Sequence, residues 1–263
     1  MSALFRPHHK LFIGVVHLKP LVGAPRWAGN LDAVIEFAVG DARAYERGGA
    51  DAIIIENFGD APFTKATVAP ETLAAMTAAG RAVRAAIKLP IGFNVLRNDA
   101  RSALALCAAC GGSFVRVNVH TGAMLTDQGI IEGDAYNTMR YRQAVCPEAL
   151  LFADVHVKHA VPVGCWRIED SARDTVERGL ADALIISGTG TGVAADISDL
   201  ERVRHACPKA KILLGSGVTV GNARDFTRVA DGTIVGSSLK RGGKLDNPVD
   251  PKRVASLAKL LHA

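Results

Sequence analysis

The chain has 263 residues, of which 49% are hydrophobic and 22% charged, which is typical of a globular protein with a sizeable core. Its net charge of +5 comes from scattered basic residues, without the broad basic face and stacking aromatics that nucleic-acid binding needs. No stretch has the length of a signal peptide's apolar core or of a transmembrane helix, so we expect a cytoplasmic protein.

The five cysteines do not predict a metal or redox site. Cys107 and Cys110 have the CxxC spacing, but they lie in an apolar run that predicts a buried helix face. No second pair and no nearby histidine completes a zinc set. We therefore expect structural free thiols and a reducing compartment.

Eight apolar segments recur along the chain, and each is followed by an amphipathic segment. Near-continuous apolar runs are typical of parallel strands that are buried on both faces. The predicted strands are 11–18, 52–57, 91–96, 114–119, 151–157, 183–188, 211–218 and 233–239. The predicted helices are 31–47, 71–87, 99–110, 134–145, 168–178, 197–206, 221–229 and 251–262.

Eight such units without a linker predict a single-domain (β/α)₈ TIM barrel over residues 1–263, with its core at about 11–262. A doubly wound open sheet is the alternative. Active sites of barrel enzymes lie at the carboxyl ends of the strands, and most of the predicted strands turn polar there. The substrate-binding candidates at these ends and in the loops that follow are His17, Asn94, Arg116, Asn118, Asp127, Ser187 and Thr189. Asp127 lies in the long loop 121–133, which could close over the site.

The fifth predicted strand carries an acid, an imidazole and an amine at alternating positions. Asp154, His156 and Lys158 should share one face, and by the same parity Arg116 and Asn118 should share a face. The first three form a candidate proton-transfer set, unless they are a structural ladder that fills the barrel. Lys158 could instead be a Schiff-base nucleophile or an anion-binding group.

Glu56 follows an apolar strand directly and completes the catalytic candidates Glu56, Asp154, His156 and Lys158. It could act as a general base, or it could bind Mg²⁺ together with Asp154. The spacing is not diagnostic of a metal site, so no cofactor other than this candidate Mg²⁺ is predicted.

The last two predicted strands end in small residues. Barrels that bind phosphate monoesters often use backbone N–H groups of the loops at this point. The phosphate-binding candidates are Gly215, Ser216, Gly217, Gly236, Ser237 and Ser238. Tight turns without a ligand are the alternative. The glycine-rich stretch 187–192 lacks the Gly-Lys-Ser/Thr ending of a nucleotide P-loop.

Several of these segments together resemble the BtpA/SgcQ family over residues 11–254. They are 14–21 (GVVHLKPL), 56–63 (ENFGDAPF), 94–99 (NVLRND), 116–118 (RVN), 126–129 (TDQG), 152–159 (FADVHVKH), 187–192 (SGTGTG) and 236–240 (GSSLK). The resemblance implies a ribulose-phosphate-binding type of barrel. One member of the family is named as a photosystem I biogenesis factor, and another, associated with sugar-uptake genes, has been labelled a nucleoside triphosphatase.

The residues favour an enzyme that acts by acid–base chemistry on a phosphorylated, sugar- or nucleoside-related small molecule. Isomerase, lyase and glycosyl-transfer reactions all remain open. One alternative is a non-enzymatic assembly or regulatory factor of the photosystem I biogenesis type. The other is a metal-dependent phosphohydrolase. Barrels often associate through their helix faces, so a homo-oligomer also stays open.

Overall fold

A computed structural model describes residues 4–164, 167–188, 190 and 195–263. The strands are β1 (Leu11–His17), β2 (Ala52–Glu56), β3 (Ile91–Asn94), β4 (Phe114–Val117), β5 (Ala123–Thr126), β6 (Gly129–Glu132), β7 (Leu150–Val155), β8 (Ala160–Pro162), β9 (Ala183–Ile186), β10 (Lys211–Leu214) and β11 (Gly232–Val235). The helices are α1 (Leu31–Gly48), α2 (Pro70–Ala86), α3 (Ala100–Cys110), α4 (Ala135–Val145), α5 (Ile168–Arg173), α6 (Ile197–Ala206), α7 (Ala223–Thr227) and α8 (Pro251–Leu261).

Eight parallel strands close into a barrel in the order β1-β11-β10-β9-β7-β4-β3-β2. Closure is direct, because β1 pairs with β2 on one side and with β11 on the other. The (β/α)₈ prediction is therefore confirmed, and the open sheet is excluded. None of the helices in the described part of the chain is long and apolar enough to cross a membrane.

The pleat of the strands determines what fills the barrel. Apolar side chains such as Ile13, Ile54 and Ile234 point inward and pack into one core cluster, in which the rings of Phe114 and Phe152 stack with centroids 4.9 Å apart. The alternate side chains point outward and pack against the helices. Two positions further along β2, β4 and β7, the side chains are the buried polar groups of Glu56, Arg116 and Asp154. This change of polarity marks one end of the barrel as the place for a site.

Several elements end earlier than the sequence predicts. The strand predicted at 211–218 ends at Leu214, because Gly215–Gly217 turn away from the sheet and Gly217 has a left-handed φ of 72°. The helix predicted at 168–178 is regular only to Arg173 and continues as one π-helical turn. Cys107 and Cys110 are free thiols buried on α3.

The loop 121–133 contains regular structure that the sequence reading missed. Its strands β5 and β6 form an antiparallel hairpin, and β8 adds to the other edge of β5. Met124 and Ile131 are buried, whereas Leu125 and Ile130 are exposed, so the strands alternate as a sheet with one covered face does. The sequence itself does not alternate here, because all four residues are apolar; the available signal was two short apolar runs separated by a few residues that include Gly129. The hairpin turn places Asp127 beside the mouth of the barrel.

Candidate active site

Arg116 lies at the centre of the polar end of the barrel. Its Nε and Nη2 each donate a 2.9 Å hydrogen bond to Asp154, and its Nη1 lies 3.4 Å from Oε1 of Glu56. Burial opposes the charge on Arg116, but the carboxylates of Asp154 and Glu56 outweigh it and hold its pKa above the usual value. Because the three side chains are buried, the positive charge of Arg116 and the negative charges of Asp154 and Glu56 must stabilise one another.

Asp154 is the acceptor at the middle of a wider network. Its Oδ1 accepts from Arg116 and from the Ser187 hydroxyl at 3.3 Å, and its Oδ2 accepts from Arg116 and from the Asn118 amide at 2.9 Å. The two lone pairs on each carboxylate oxygen are therefore occupied. Since both Arg116 and Asn118 reach Asp154, the prediction that they share a face is confirmed.

Asn94 connects β3 to this network. Its amide donates 3.0 Å hydrogen bonds to the Asn118 side-chain oxygen and to the Arg116 carbonyl. Its own Oδ1 is buried and has no hydrogen-bond partner among the described residues. A buried acceptor without a donor calls for a ligand hydroxyl or a water molecule.

Lys158 faces the same network from the segment that follows β7. Its ammonium makes no ion pair within 4.0 Å in the described part of the chain. Burial lowers the pKa of Lys158, and the positive charge of Arg116 adds to this effect while Glu56 and Asp154 oppose it. Lys158 is thus an accessible cation that releases its proton more readily than a surface lysine does.

His156 does not join Asp154 and Lys158 as the period-two rule predicts. Strand β7 ends at Val155, and His156 takes a left-handed φ of 53°. Alternation of faces holds only for extended backbone, so His156 turns aside and its Nε2 lies 3.0 Å from the Ser171 hydroxyl on α5. It lines a separate cavity of about 100 Å³, which Asp154 also borders. Burial lowers the pKa of His156.

Two spaces meet at the mouth of the barrel. The larger is a cavity of about 340 Å³, whose polar walls include Asn94, Asn118 and Asp127. The smaller is a cleft of about 30 Å³ over the turns that follow β10 and β11. The residues that line both spaces are Glu56, Arg116 and Lys158. A wider groove of about 590 Å³ beside α3 and α4 contains none of the predicted site residues.

The two glycine–serine turns form the wall of the cleft, which brings together all six phosphate-binding candidates. A Cβ atom on Gly215 would lie 2.5 Å from the Ser187 hydroxyl, and one on Gly236 would lie 2.5 Å from His17 Cε1. Only glycine fits at these two close approaches. Ser238 donates a 2.7 Å hydrogen bond to the Val218 carbonyl, and this bond ties the two turns together.

His17 also lines the cleft and is uncharged at neutral pH. Burial, with the nearby charges of Lys240, Lys158 and Arg116, lowers the pKa of His17 to about 3. Its ring packs edge-on against Phe58, with centroids 4.9 Å apart. Its Nδ1 is buried without a hydrogen-bond partner within the described ranges. His17 can therefore supply one neutral hydrogen-bonding atom, and not a charge.

Other predicted and unpredicted residues complete the mouth. Asp127 is exposed on the β5–β6 turn and borders the larger cavity, whereas Thr189 lies outside the described residues. Three residues that also line that cavity are not among the site residues predicted from the sequence. They are Arg97, Phe58 and Phe63. A charged residue directly after the predicted strand 91–96 was the available signal for Arg97.

Glu56 and Asp154 do not fit a magnesium site. Arg116 binds both carboxylates, and the oxygens of Asp154 have no lone pair left for a metal ion. A different group, His9, Asp51 and His262, clusters at the amino-terminal end of the barrel. There His9 and Asp51 lie 2.7 Å apart, and the cationic Arg6 lies 2.5 Å from Asp51 and 2.7 Å from His9, so a positive charge already contacts two of the three groups.

The comparisons with known proteins identify the family. The BtpA family matches residues 8–263. The chain is 47% identical over 248 residues to the "Photosystem I biogenesis protein BtpA" of Synechocystis sp., covering 94% of this chain and 86% of that one. It is also 47% identical over 254 residues to an uncharacterized protein of Pyrococcus furiosus, covering 97% and 95%. The chain belongs to the BtpA family.

Solved structures agree on the fold. Thiamine phosphate pyrophosphorylase from Pyrococcus furiosus has a TM-score of 0.57 at 16% identity, covering 97% of this chain and 96% of that one. Tryptophan synthase from Mycobacterium tuberculosis has a TM-score of 0.62 at 18% identity, covering 97% and 94%. Likeness at this level of identity shows the barrel and nothing finer.

Proposed function

We propose that this BtpA-family chain is an enzyme that binds a phosphorylated, sugar- or nucleoside-related small molecule and acts on it by proton transfer. One observation carries the proposal. Glu56, Arg116 and Lys158 line both the larger cavity and the cleft over the glycine–serine turns. A ligand held by its phosphate in the cleft would extend past a carboxylate and a cation, which are the groups that proton transfer requires.

The proposed phosphate site consists of the two glycine–serine turns that line the cleft. Small residues at Gly215–Gly217 and Gly236–Ser238 let a phosphate approach the backbone closely, at the position where barrels often bind phosphate. Lys158 supplies positive charge at the same cleft. The name of thiamine phosphate pyrophosphorylase mentions a phosphate compound, which agrees with the proposal, but the likeness extends only to the fold.

Glu56 is the base in this proposal. The only hydrogen bond of its carboxylate in the described part of the chain is the 3.4 Å contact with Arg116, whereas all lone pairs of the Asp154 carboxylate are occupied. Asp154 therefore acts as a positioning residue for Arg116 and Asn118. A glycosidase-type reaction needs two working carboxyl groups, so one available carboxylate disfavours glycosyl transfer by that route and favours an isomerase or a lyase.

The reaction that suits one carboxylate beside one cation is proton abstraction next to a carbonyl. Glu56 takes the proton from carbon, the C–H electron pair forms an enolate, and Lys158 stabilises the negative oxygen. An isomerase returns the proton to the neighbouring carbon, and a lyase breaks the adjacent bond instead. Asn94 Oδ1 would accept from a substrate hydroxyl. A metal-dependent phosphohydrolase is disfavoured, since Arg116 occupies the place between the two carboxylates.

A negative charge introduced into the cleft tests whether the glycine–serine turns bind phosphate. Ser237→Asp adds a negative charge next to the proposed phosphate position, and Ser237→Asn adds nearly the same volume without charge. Titration calorimetry with glycerol phosphate should show binding to the native chain and to Ser237→Asn, and a loss of at least about tenfold in Ser237→Asp. Equal affinities for the two variants, or no binding to the native chain, would contradict the proposal.

A second candidate function, that of an assembly factor, is favoured by an exposed apolar face. Leu125 lies opposite Ile130 in β6 and opposite Val161 in β8, and the three side chains are each at least 50% exposed. A relative is named as a photosystem I biogenesis protein. Complementation of a cyanobacterium that lacks that relative discriminates the two. The assembly role predicts that Leu125→Ser fails and Glu56→Gln succeeds, and the enzyme role predicts the reverse.

A further inference from the structure

We propose that the substrate carries a second anionic group, a carboxylate or a second phosphate, which Arg97 binds in the larger cavity. This inference rests on the proposed phosphate-binding function and narrows the substrate class to phosphate esters with two anionic groups. It follows from the distribution of charge around the mouth of the barrel.

The cations that line the larger cavity are Arg26, Arg97, Arg116 and Lys158, and they are not equally neutralised. Arg26 is exposed, so solvent screens its charge. Arg116 is paired with Asp154 and Glu56. Arg97 and Lys158 have no carboxylate within 4.0 Å among the residues that the structure describes. A buried cation without a counter-ion is costly unless a ligand supplies the negative charge, and this cost applies most strongly to Arg97, because Lys158 is only half-buried.

Arg97 is more deeply buried than Lys158, so its charge has the greater need of a counter-ion. Only 5% of its surface is exposed, and burial lowers its pKa, while Asp154, Asp127 and Glu56 oppose that effect from a distance. Its Nη2 donates a 2.6 Å hydrogen bond to the Lys158 carbonyl, which fixes the guanidinium beside the cavity. The planar fork of an arginine matches the geometry of a carboxylate or a phosphate.

The two cations occupy different places in the site. Lys158 lines both the cleft and the larger cavity, whereas Arg97 lines only the larger cavity. A phosphate in the cleft would therefore use Lys158 and leave Arg97 without a partner. Phe58 and Phe63 add apolar surface to the larger cavity, which suits the carbon skeleton of the same ligand.

Asp127 is the acidic group that faces Arg97 from the hairpin. It is exposed, and it contributes only at long range to the pKa of Arg97. A solvated carboxylate at that distance compensates little of the charge of a buried guanidinium. The competing explanation is that Arg97 only supports the backbone at Lys158. In that case its loss would weaken every ligand to the same extent.

Matched pairs of ligands separate the two explanations. Calorimetry compares glycerol phosphate with phosphoglycerate, which adds a carboxylate, and fructose monophosphate with fructose bisphosphate, which adds a second phosphate. The proteins are the native chain, Arg97→Met, Arg97→Lys and the control Arg81→Met. Arg81 is exposed on α2 and lines neither space, so the control matches the change in charge.

We expect at least one doubly anionic ligand to bind the native chain and Arg81→Met about tenfold tighter than its singly anionic partner. Arg97→Met should abolish that gain, so the affinity for the doubly anionic ligand should fall about tenfold further than the affinity for its singly anionic partner. If Arg97→Met does not fold, Arg97→Lys decides, since it keeps one charge but loses the fork and should reduce the gain.

Two results would overturn the inference. One is a native chain that binds both members of each pair equally. The other is a variant of Arg97 that weakens both members by the same factor. A native chain that binds none of the four phosphate esters would instead overturn the proposed function itself, so the two failures are distinguishable.

Discussion

Arg116 on β4 donates two hydrogen bonds of 2.9 Å to the two carboxylate oxygens of Asp154 on β7. Both side chains are buried, and the pair links two neighbouring strands at the end of the barrel where the candidate site lies. Because both carboxylate oxygens of Asp154 accept hydrogen bonds from Arg116, Asp154 orients the guanidinium. In the proposed function, Glu56 is therefore the carboxylate that takes the proton.

Removing one partner of this pair should destabilise the fold. Asp154→Asn leaves Arg116 buried without its counter-ion, and the loss should be about 3–5 kcal/mol of unfolding free energy. The measurement is urea denaturation at neutral pH. Asp127→Asn, on an exposed turn, should change the free energy by less than about 0.5 kcal/mol. A loss below about 1 kcal/mol in Asp154→Asn would mean that the pair contributes little.

His17 should make stability depend on pH in the acid range. Its pKa is about 3 in the folded chain and 6.5 as the ordinary value, so below pH 6.5 the unfolded chain takes up a proton that the folded chain refuses. Stability is therefore lost as the pH falls from 6.5 toward 3. Against His17→Asn, the native chain should lose about 3 kcal/mol more between pH 7 and pH 4. Parallel pH profiles of the two proteins would show that His17 titrates normally.

We expect substitutions of Glu56 and of His156 to have different effects on proton transfer. Glu56→Gln removes the proposed base and should slow exchange of a substrate carbon-bound proton with deuterated water by about 100-fold or more. His156→Asn should leave the exchange rate within about threefold of the native rate, because His156 faces Ser171 and not the two spaces at the mouth. NMR of the phosphate ester measures the exchange. A large effect of His156→Asn with none of Glu56→Gln would reverse the assignment.

The close approach at Gly236 gives a steric prediction. Gly236→Ala places a methyl group 2.5 Å from His17 Cε1, so it should cost about 1–3 kcal/mol of stability and weaken phosphate binding. Gly221→Ala is the control, because its nearest neighbour is the Thr219 hydroxyl at 3.7 Å. Thermal denaturation with and without glycerol phosphate measures both effects. Equal melting temperatures for the two variants would show that His17 moves aside for the methyl group, which would contradict the prediction.

Much of the site follows from the alternation of side chains along the strands. Glu56, Arg116 and Asn118 could be placed together, because strands that are apolar except at one end must gather their polar groups there. Alternation fails where the backbone leaves the extended region. His156 takes a left-handed conformation, so its side chain departs from the face that its position predicts.

Loops limit prediction from sequence for a different reason. Arg97 lies beyond the end of β3, and its place in the cavity depends on a hydrogen bond to the carbonyl of Lys158, which is 61 residues away in the chain. Periodicity carries no information about such a contact. In the loop that bears Asp127, the buried Met124 and the exposed Leu125 are both apolar, so the sequence shows no period of two, and the length of the loop suggested an irregular lid instead of a hairpin.

In the proposed function, the glycine–serine turns hold the phosphate and the proton-transfer groups act on the same ligand. A crystal structure of the chain with bound phosphoglycerate tests this claim most directly. We expect the phosphate against Gly215–Gly217 and Gly236–Ser238, with the carbon chain running past Glu56 and Lys158 into the larger cavity. A phosphate bound elsewhere, such as in the cavity beside His156, would contradict the claim.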